Sequence, residues 1–203
     1  MAHDEPSTRD AGYTSRLVQL EGARWKKLLD VQAPYRRNLQ RLLGGRAVLD
    51  VGCGIGRNLA QLGPGSVGVD HNADSVRICR ERGLHAVVPD EFFGSADAVL
   101  GSFTGLLAAH LVEHLEPGTA SEALRPYLAF LAPQARVVLI CPQERGFASD
   151  PTHTEYYDLP ALAALCVELG LEVESQSSFP FPSWAGRFFT YNEFVTVART
   201  PAR

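Results

Sequence analysis

The sequence lacks the features that mark several large classes of protein. No stretch approaches the run of about 20 apolar residues that spans a bilayer. The first residues carry neither a basic stretch nor an apolar core, so we expect no secretory signal. The four cysteines are scattered without a C-x-x-C pair, which argues against a zinc knuckle or a disulfide framework. These absences predict a cytoplasmic protein with no membrane span.

An excess of positive charge is missing too. The 203 residues include 19 Lys and Arg against 23 Asp and Glu, a net charge of −4 at pH 7. Nucleic-acid binding depends on neutralising phosphates, so this balance does not favour a nucleic-acid partner, although a local basic patch stays open. With 45% hydrophobic and 21% charged residues, the chain is typical of globular proteins. We expect a disordered tail over residues 1–13 and a single domain over 14–203.

Short apolar strands alternate with amphipathic helices along the chain. This alternation predicts an α/β fold with a doubly wound, mostly parallel sheet that is covered on both faces. The last two strands are joined by a loop too short for a crossover helix, so they must form an antiparallel hairpin. Asn72 and Asp158 are placed to cap helices, and Thr119 begins a capping box. The seven predicted strands are 47–51, 66–70, 84–88, 105–109, 135–141, 171–177 and 191–199.

A glycine-rich turn, in the run VLDVGCGIGRN, follows the first predicted strand. Gly52, Gly54 and Gly56 allow the backbone to turn tightly and to approach a ligand closely. A dinucleotide fingerprint would place its third glycine at position 57, which is arginine, and no Gly-Lys-Ser/Thr follows as in a Walker loop. Asp70 ends the second strand, where its carboxylate can chelate the 2′,3′-diol of a ribose. A buried strand that ends on a bare carboxylate is otherwise costly.

Together these residues resemble the class I S-adenosylmethionine-dependent methyltransferases over roughly residues 46–199. The resemblance implies a Rossmann-like methyltransferase fold with S-adenosylmethionine as cofactor. It implies that Asp50 helps to hold the amino group of the methionine part and that Asp70 binds the ribose. After the third strand, Asp90 would accept a hydrogen bond from the adenine and Phe92 would cover the ring, although Asp90 as a helix N-cap stays open. The predicted cofactor-binding residues are Asp50, Gly52, Cys53, Gly54, Gly56, Asn58, Asp70, His71, Asp90, Glu91, Phe92 and Ala109.

A cluster of two histidines and a glutamate follows the fourth strand, as His110-Leu-Val-Glu113-His114. It is similar to the Glu-His-Leu stretch of the small-molecule branch of the family, which includes the methyltransferases of ubiquinone biosynthesis. Ligands bind at the carboxyl ends of parallel strands, so this cluster should lie at the mouth of the site. A histidine of near-neutral pKa suits the removal of a proton from a methyl acceptor. His153, in a loop similar to one that closes over substrate in this branch, completes the predicted catalytic set of His110, Glu113, His114 and His153.

Three roles for this cluster stay open. It can contact the acceptor or remove its proton, or Glu113 and His114 can pin the loop while His110 touches the cofactor. It can also bind a divalent metal, because histidines and a carboxylate are metal ligands. The set is similar to the Glu-x-x-Glu-His pattern of small-RNA 3′-end methyltransferases, but His110 stands in place of the first glutamate. A divalent metal is therefore kept as an alternative that is not favoured, and no residue is assigned to a metal.

These expectations combine into one predicted function. The chain transfers a methyl group from S-adenosylmethionine to a small-molecule acceptor by in-line displacement, on oxygen, with nitrogen and carbon as open alternatives. In the family it resembles, a helical lid (here residues 14–45) and the aromatic loop before the last strand roof the acceptor pocket. We expect most aromatic side chains of that loop to pack in the core, and the chain to be a monomer or a homodimer. The alternatives are a metal-assisted RNA-end methyltransferase and a non-catalytic scaffold or sensor that binds S-adenosylmethionine.

Overall fold

The computed structural model of the protein describes residues 32–202. Within that range the chain forms one mixed sheet of seven strands with helices on both faces. The strands are β1 (Val48–Val51), β2 (Val67–Val69), β3 (Ala86–Val87), β4 (Phe103–Ala109), β5 (Leu131–Pro142), β6 (Glu172–Phe179) and β7 (Glu193–Arg199). The helices are α1 (Ala33–Leu43), α2 (Ala73–Glu81), α3 (Pro89–Gly94), α4 (Ala120–Leu124), α5 (Glu144–Phe147) and α6 (Leu159–Glu168). Short 3-10 segments cover Leu59–Gln61, Val112–His114, Arg125–Phe130 and Ser183–Arg187.

The sheet order is β3-β2-β1-β4-β5-β7-β6. Strands β1 to β5 are parallel, whereas β7 inserts antiparallel between β5 and β6. This arrangement confirms the predicted doubly wound α/β fold with an antiparallel C-terminal hairpin. The chain runs outward from β1 to β3 and then returns to β4 on the other side of β1. Such a switch point opens a crevice at the carboxyl ends of the neighbouring strands, where ligands bind.

Successive residues of the strands point to opposite faces of the sheet and fill two separate cores. Val48 of β1 lies in one cluster with Leu43 of α1 and Leu107 of β4, all fully buried. The next residue, Leu49, lies in the other cluster with Leu162 of α6. Both faces of the sheet are therefore covered, which explains why the strands are almost uninterrupted apolar runs.

The predicted helical lid lies only partly within the described residues. Its first part, 14–31, and the predicted tail, 1–13, lie outside them. The remaining part contains α1, whose buried side chains Leu39, Leu42 and Leu43 pack against the sheet. The apolar stripe of this helix covers a face of the sheet, and a lid formed by residues 14–45 stays a prediction.

Two of the three predicted helix caps are confirmed. The side chain of Asn72 caps α2 by accepting from two backbone N–H groups, and that of Asp158 caps α6. The capping box at Thr119 is wrong, because its hydroxyl donates to the carbonyl oxygen of Glu116 in a turn. None of the helices that the structure describes has the length and apolar character needed to cross a membrane. Cytoplasmic localisation and the oligomeric state remain predictions.

Candidate functional site

A cleft of about 460 Å³ opens at the carboxyl ends of β1 and β2. This volume lies within the range of cavities that hold small ligands and cofactors. Four of the residues predicted for the site lie in its walls, namely Gly52, Asp70, His71 and His114. Sequence analysis missed other wall residues, among them Pro89, Leu111, Ala123 and Tyr127. The positions of Pro89 and Leu111 just beyond β3 and β4 are the signal that could have found them.

The glycine turn closes tightly against the segment that follows β4. Gly52 has φ of +76°, and its N–H donates to the carbonyl oxygen of Val69 at 2.8 Å. A Cβ atom at Gly52 would lie 2.8 Å from Cδ1 of Leu111, closer than such atoms approach. Only glycine therefore supplies both the backbone angle and the space that this turn requires.

Several of the predicted cofactor residues are not among those that line the cleft. A Cβ atom at Gly56 would lie 2.9 Å from Sγ of Cys79, so this glycine serves packing behind the turn. The side chain of Cys53 is buried with Cys79 in a small apolar cluster. Asn58 opens the 3-10 segment after the turn, and the side chain of Ala109 packs in the core beneath α1. Any cofactor contact from Gly56, Cys53 or Ala109 would come from the backbone rather than from the side chain.

The carboxylate of Asp70 ties the turn to α2. Its Oδ2 accepts the backbone N–H of Gly54 and its Oδ1 accepts that of Asn72, both at 2.8 Å. Asp70 lines the cleft beside His71, whose Nδ1 lies 3.9 Å from Oδ1. Each carboxylate oxygen has more than one acceptor site, so Asp70 is held in place and can still accept from a ligand hydroxyl.

Asp50 is a buried acid behind the turn. It is 1% exposed, and among residues 32–202 its Oδ2 has no hydrogen-bond partner. Burial, together with the nearby charge of Asp70, raises the pKa of Asp50 to about 7. A buried acceptor without a donor is costly. Asp50 directly precedes Val51 and Gly52, which line the cleft.

The segment after β3 departs from the predicted adenine contacts. Phe92 is fully buried and packs edge-on against neighbouring aromatic rings, so the prediction that it covers the cofactor is wrong. Glu91 is exposed and forms an ion pair with Arg80 on the surface. Asp90 is exposed in the first turn of α3, and Val88 is the N-cap residue, so the N-cap alternative for Asp90 is also wrong. A contact from Asp90 to an adenine stays a prediction.

His110 is a charged bridge between two glutamates. Its Nδ1 lies 3.1 Å from Oε1 of Glu113, and its Nε2 lies 3.0 Å from Oε1 of Glu193. Burial by itself would lower the pKa of His110, but the hydrogen bonds and charges of both glutamates raise this pKa to about 10. A protonated imidazole has no acceptor site, so the prediction that His110 removes a proton is wrong. Sequence analysis missed Glu193, because no local pattern links residues 83 positions apart.

Glu113 is fully buried beneath this bridge. Its backbone carbonyl accepts the N–H of Thr154 at 2.7 Å, which ties the segment after β4 to the loop that carries His153. Burial alone would raise the pKa of Glu113, but the hydrogen bond and charge of His110 hold it below its usual value. Oε1 faces His110, whereas Oε2 meets no N–H or O–H donor in the described part of the chain, and the buried thiol of Cys141 is a weak donor to this carboxylate. These contacts agree with the loop-pinning role.

His114 and His153 meet beside the cleft, with ring centroids 4.6 Å apart. Nδ1 of His114 lies 3.0 Å from the hydroxyl oxygen of Thr152 and 3.2 Å from its carbonyl oxygen, and Nδ1 of His153 lies 2.7 Å from the carbonyl oxygen of Phe147. The Thr152 hydroxyl donates its hydrogen to Asp150, so its oxygen accepts from His114. A carbonyl oxygen only accepts, so each neutral ring carries its proton on Nδ1 and its lone pair on Nε2. Burial lowers the pKa of His114 below the ordinary value for histidine. This pair, unlike His110, therefore offers a ring nitrogen that can accept a proton or bind a cation.

The loop between β6 and β7 presents aromatic side chains on the surface. Phe181, Trp184 and Phe188 are 51%, 67% and 79% exposed, so their predicted core packing is wrong. The preceding Phe179 makes an edge-on contact with Tyr35 of α1 at 5.4 Å. The loop is therefore anchored to α1 at its base and leaves an apolar surface at its tip.

Comparisons with known protein families agree with this geometry. A family model described as a methyltransferase domain matches residues 28–176. A search of the curated proteins finds no match. Many solved structures share the fold, and three of them illustrate the range of the likeness.

The first is an S-adenosylmethionine-dependent methyltransferase from Archaeoglobus fulgidus, which is 24% identical in sequence. The match covers 84% of this chain and 93% of that chain, with a TM-score of 0.66. The second belongs to a complex of the Haloferax volcanii Trm112 methyltransferase activator with a methyltransferase, at 19% identity, 97% and 99% coverage and a TM-score of 0.71. The third is 1,6-didemethyltoxoflavin-N1-methyltransferase from Burkholderia thailandensis, with bound 1,6-didemethyltoxoflavin and S-adenosylhomocysteine. It shows 16% identity, 99% and 93% coverage and a TM-score of 0.59. At these identities the likeness concerns the fold.

Proposed function

We propose that this chain, which belongs to the methyltransferase domain family and has the class I fold, transfers a methyl group from S-adenosylmethionine to an oxygen of a small-molecule acceptor. One observation carries the proposal. One cleft is lined by the carboxylate of Asp70 and the imidazole of His114. The buried acid Asp50 directly precedes its lining residue Val51, and His153, from the loop that follows α5, packs against His114. The carboxylates suit a cationic nucleoside cofactor, and the imidazoles suit an acceptor that must lose a proton.

S-Adenosylmethionine fits the residues around the turn. Its ammonium group would donate to the unpartnered Oδ2 of Asp50, and its positive charge would favour the ionised form of this acid. Its ribose hydroxyls would donate to the remaining acceptor sites of Asp70. Pro89 and Tyr127 supply a wall against which the adenine would lie, in the place that the resemblance gave to Phe92.

The acceptor would meet the cofactor beside the histidine pair. The sulfonium is already an activated methyl donor, so the protein has mainly to orient the acceptor oxygen and to assist the loss of its proton. The Nε2 atoms of His114 and His153 carry the lone pairs that face this task. His110 acts as a positioning residue, because its bridge between Glu113 and Glu193 holds the segment that carries His114.

Calorimetry with S-adenosylmethionine tests the cofactor half of the proposal. We expect Asp70→Asn to weaken binding by about 1–3 kcal/mol, or roughly 5- to 150-fold, because the ribose hydroxyls lose a charged acceptor. Asp74→Asn, at an exposed acid in the first turn of α2, is the matched control and should bind like the unaltered chain. Equal affinity in Asp70→Asn and the control would remove Asp70 from the cofactor site.

The acceptor half needs a transfer assay with methyl-labelled S-adenosylmethionine. A panel of phenols, hydroxy acids and amines supplies candidate acceptors, and a short RNA serves as a comparison. Label on the oxygen of a small compound, lost in His114→Ala although that variant still binds the cofactor, supports the proposal. Label on the RNA alone would contradict it, and cofactor binding without any transfer would favour a scaffold or sensor.

A further inference from the structure

Three side chains with metal-ligating atoms come together beside the cleft. Glu113, His114 and His153 each offer one such atom, and these atoms lie within 4.8 Å of one another. The carboxylate is fully buried and the two imidazoles are half-buried. A carboxylate between two histidines is a common ligand set for divalent transition metals.

Both imidazoles are oriented as metal ligands are. Each donates from Nδ1 to a backbone carbonyl, that of Thr152 for His114 and that of Phe147 for His153. Metal-binding histidines almost always hold their second ring nitrogen in this way, because the contact sets both the tautomer and the ring direction. Thr152 is itself fixed, because its hydroxyl and its N–H both donate to Oδ1 of Asp150. Both histidines therefore already make the hydrogen bonds that orient metal-binding histidines.

The carboxylate supplies the second, independent observation. Oε1 of Glu113 is bonded to His110, while Oε2 is shielded from solvent and meets no N–H or O–H donor within residues 32–202, and the thiol of Cys141 is only a weak donor to this carboxylate. A buried carboxylate oxygen without a donor is unfavourable, and a coordinated cation would satisfy it. His110 then acts as a positioning residue, because it holds Oε1 of Glu113 and leaves Oε2 for the cation.

We propose that Glu113, His114 and His153 bind one divalent transition-metal ion, of the zinc or cobalt type. Two imidazole nitrogens favour these ions over magnesium and calcium, which prefer oxygen ligands. Bonds of about 2.1 Å in a tetrahedral site hold ligand atoms about 3.4 Å apart, so the three groups would draw together by roughly 1 Å on binding. Three protein ligands leave at least one coordination position open for a water or an acceptor oxygen.

This inference deepens the proposed function and, for the role of the ion, rests on it. With the ion bound, the lone pairs of His114 and His153 assist the loss of the proton through the ion and do not accept it themselves. An acceptor hydroxyl bound at the open position would lose its proton to water at lower pH than the free compound. The oxygen would then form a bond to the methyl carbon of S-adenosylmethionine, and the electron pair of the broken carbon–sulfur bond would return to sulfur. Binding of the ion by itself does not require that reaction.

Titration of the chelator-treated full chain with Co²⁺, followed by visible absorption, tests the site directly. We expect one ion per chain, and Zn²⁺ followed by calorimetry should give the same stoichiometry. His114→Ala and His153→Ala should each weaken binding at least tenfold, with melting curves that show a folded protein. His85→Ala is the matched control, because this exposed histidine pairs with Asp97 on the surface and should leave binding unchanged.

Several outcomes would overturn the inference. Unchanged binding in both histidine variants, an equal loss in His85→Ala, or a thiolate charge-transfer band would each assign the ion elsewhere. Glu113→Gln gives a further check, because it keeps the size of the side chain but should lower affinity for the ion. Calorimetry with S-adenosylmethionine, run with and without Zn²⁺, separates the two proposals. Cofactor binding without a metal site overturns this inference alone, whereas metal binding without cofactor binding overturns the proposed function and leaves the site standing.

Discussion

The buried acid Asp50 makes a quantitative prediction about stability. An aspartate in an unfolded chain has a pKa near 3.8, whereas burial and the charge of Asp70 raise the pKa of Asp50 to about 7 in the folded protein. Each pKa unit corresponds to about 1.4 kcal/mol, so ionised Asp50 costs the folded state about 4 kcal/mol. The folded state holds this proton more tightly than the unfolded state. The free energy of unfolding should therefore fall as the pH rises from about 4 to about 7 and then level off.

Replacement of Asp50 by asparagine removes this titration. For the unaltered chain, about 2.5 kcal/mol of the decrease should fall between pH 5 and pH 8. Asp50→Asn should lose that part of the pH dependence and, above pH 7, should be more stable than the unaltered chain. Urea denaturation without ligand at both pH values measures the difference. A comparison across pH within one variant cancels most of the packing change that the substitution itself causes.

Asp74→Asn is the control for this experiment, because its carboxylate lies on the exposed side of α2 and pairs with Arg77. It should keep the pH dependence of the unaltered chain. If Asp50→Asn kept that dependence as well, Asp50 would not titrate near pH 7 and the reasoning would be refuted.

Cofactor binding should favour the ionised form of Asp50. An ammonium group next to the carboxylate lowers its pKa, so S-adenosylmethionine should displace about half a proton per chain at pH 7. Calorimetry in two buffers of different ionisation enthalpy measures this proton release. The Asp50→Asn variant should release none at this site and should bind the cofactor more weakly. An equal proton release from both proteins would show that Asp50 does not meet the ammonium.

Two further predictions concern the glycine turn and the charged bridge. In urea denaturation, the loss of unfolding free energy in Gly52→Ala should exceed that in Gly83→Ala by about 1–2 kcal/mol. Both glycines have φ of +76°, but a Cβ atom at Gly52 alone would press against Leu111. Equal losses would show that the turn has room for a side chain. His110 has a pKa raised to about 10, so its stabilising charge is fully present below its unfolded pKa of about 6.5 and is lost as the pH rises through 10. His110→Gln should therefore have a lower melting temperature than the unaltered chain at pH 7, and its melting temperature should fall less between pH 7 and pH 10. If the melting temperatures of both proteins fell equally over this range, the charged bridge would be contradicted.

Local patterns were sufficient to predict the architecture and the place of the cleft. The alternation of apolar strands and helices predicted the doubly wound sheet, because burial on both faces requires nearly continuous apolar strands. The spacing of Gly52 and Gly54 located the turn, because glycine adopts positive φ angles without steric cost wherever it stands in the fold, and both residues do have positive φ. Asn72 and Asp158 were recognised as caps because a cap bonds to N–H groups only two or three residues away.

The roles of individual side chains at the site depend on contacts across the sheet. His110 looked like a base, but Glu193, 83 residues away on β7, holds it as a cation. Phe92 was expected against the cofactor, but rings from a distant segment enclose it in the core. The lone pair of His114 points from Nε2 because Thr152, 38 residues further along the chain, occupies Nδ1. Protonation, burial and direction follow from which elements pack side by side, and that information is absent from any short run of neighbouring residues.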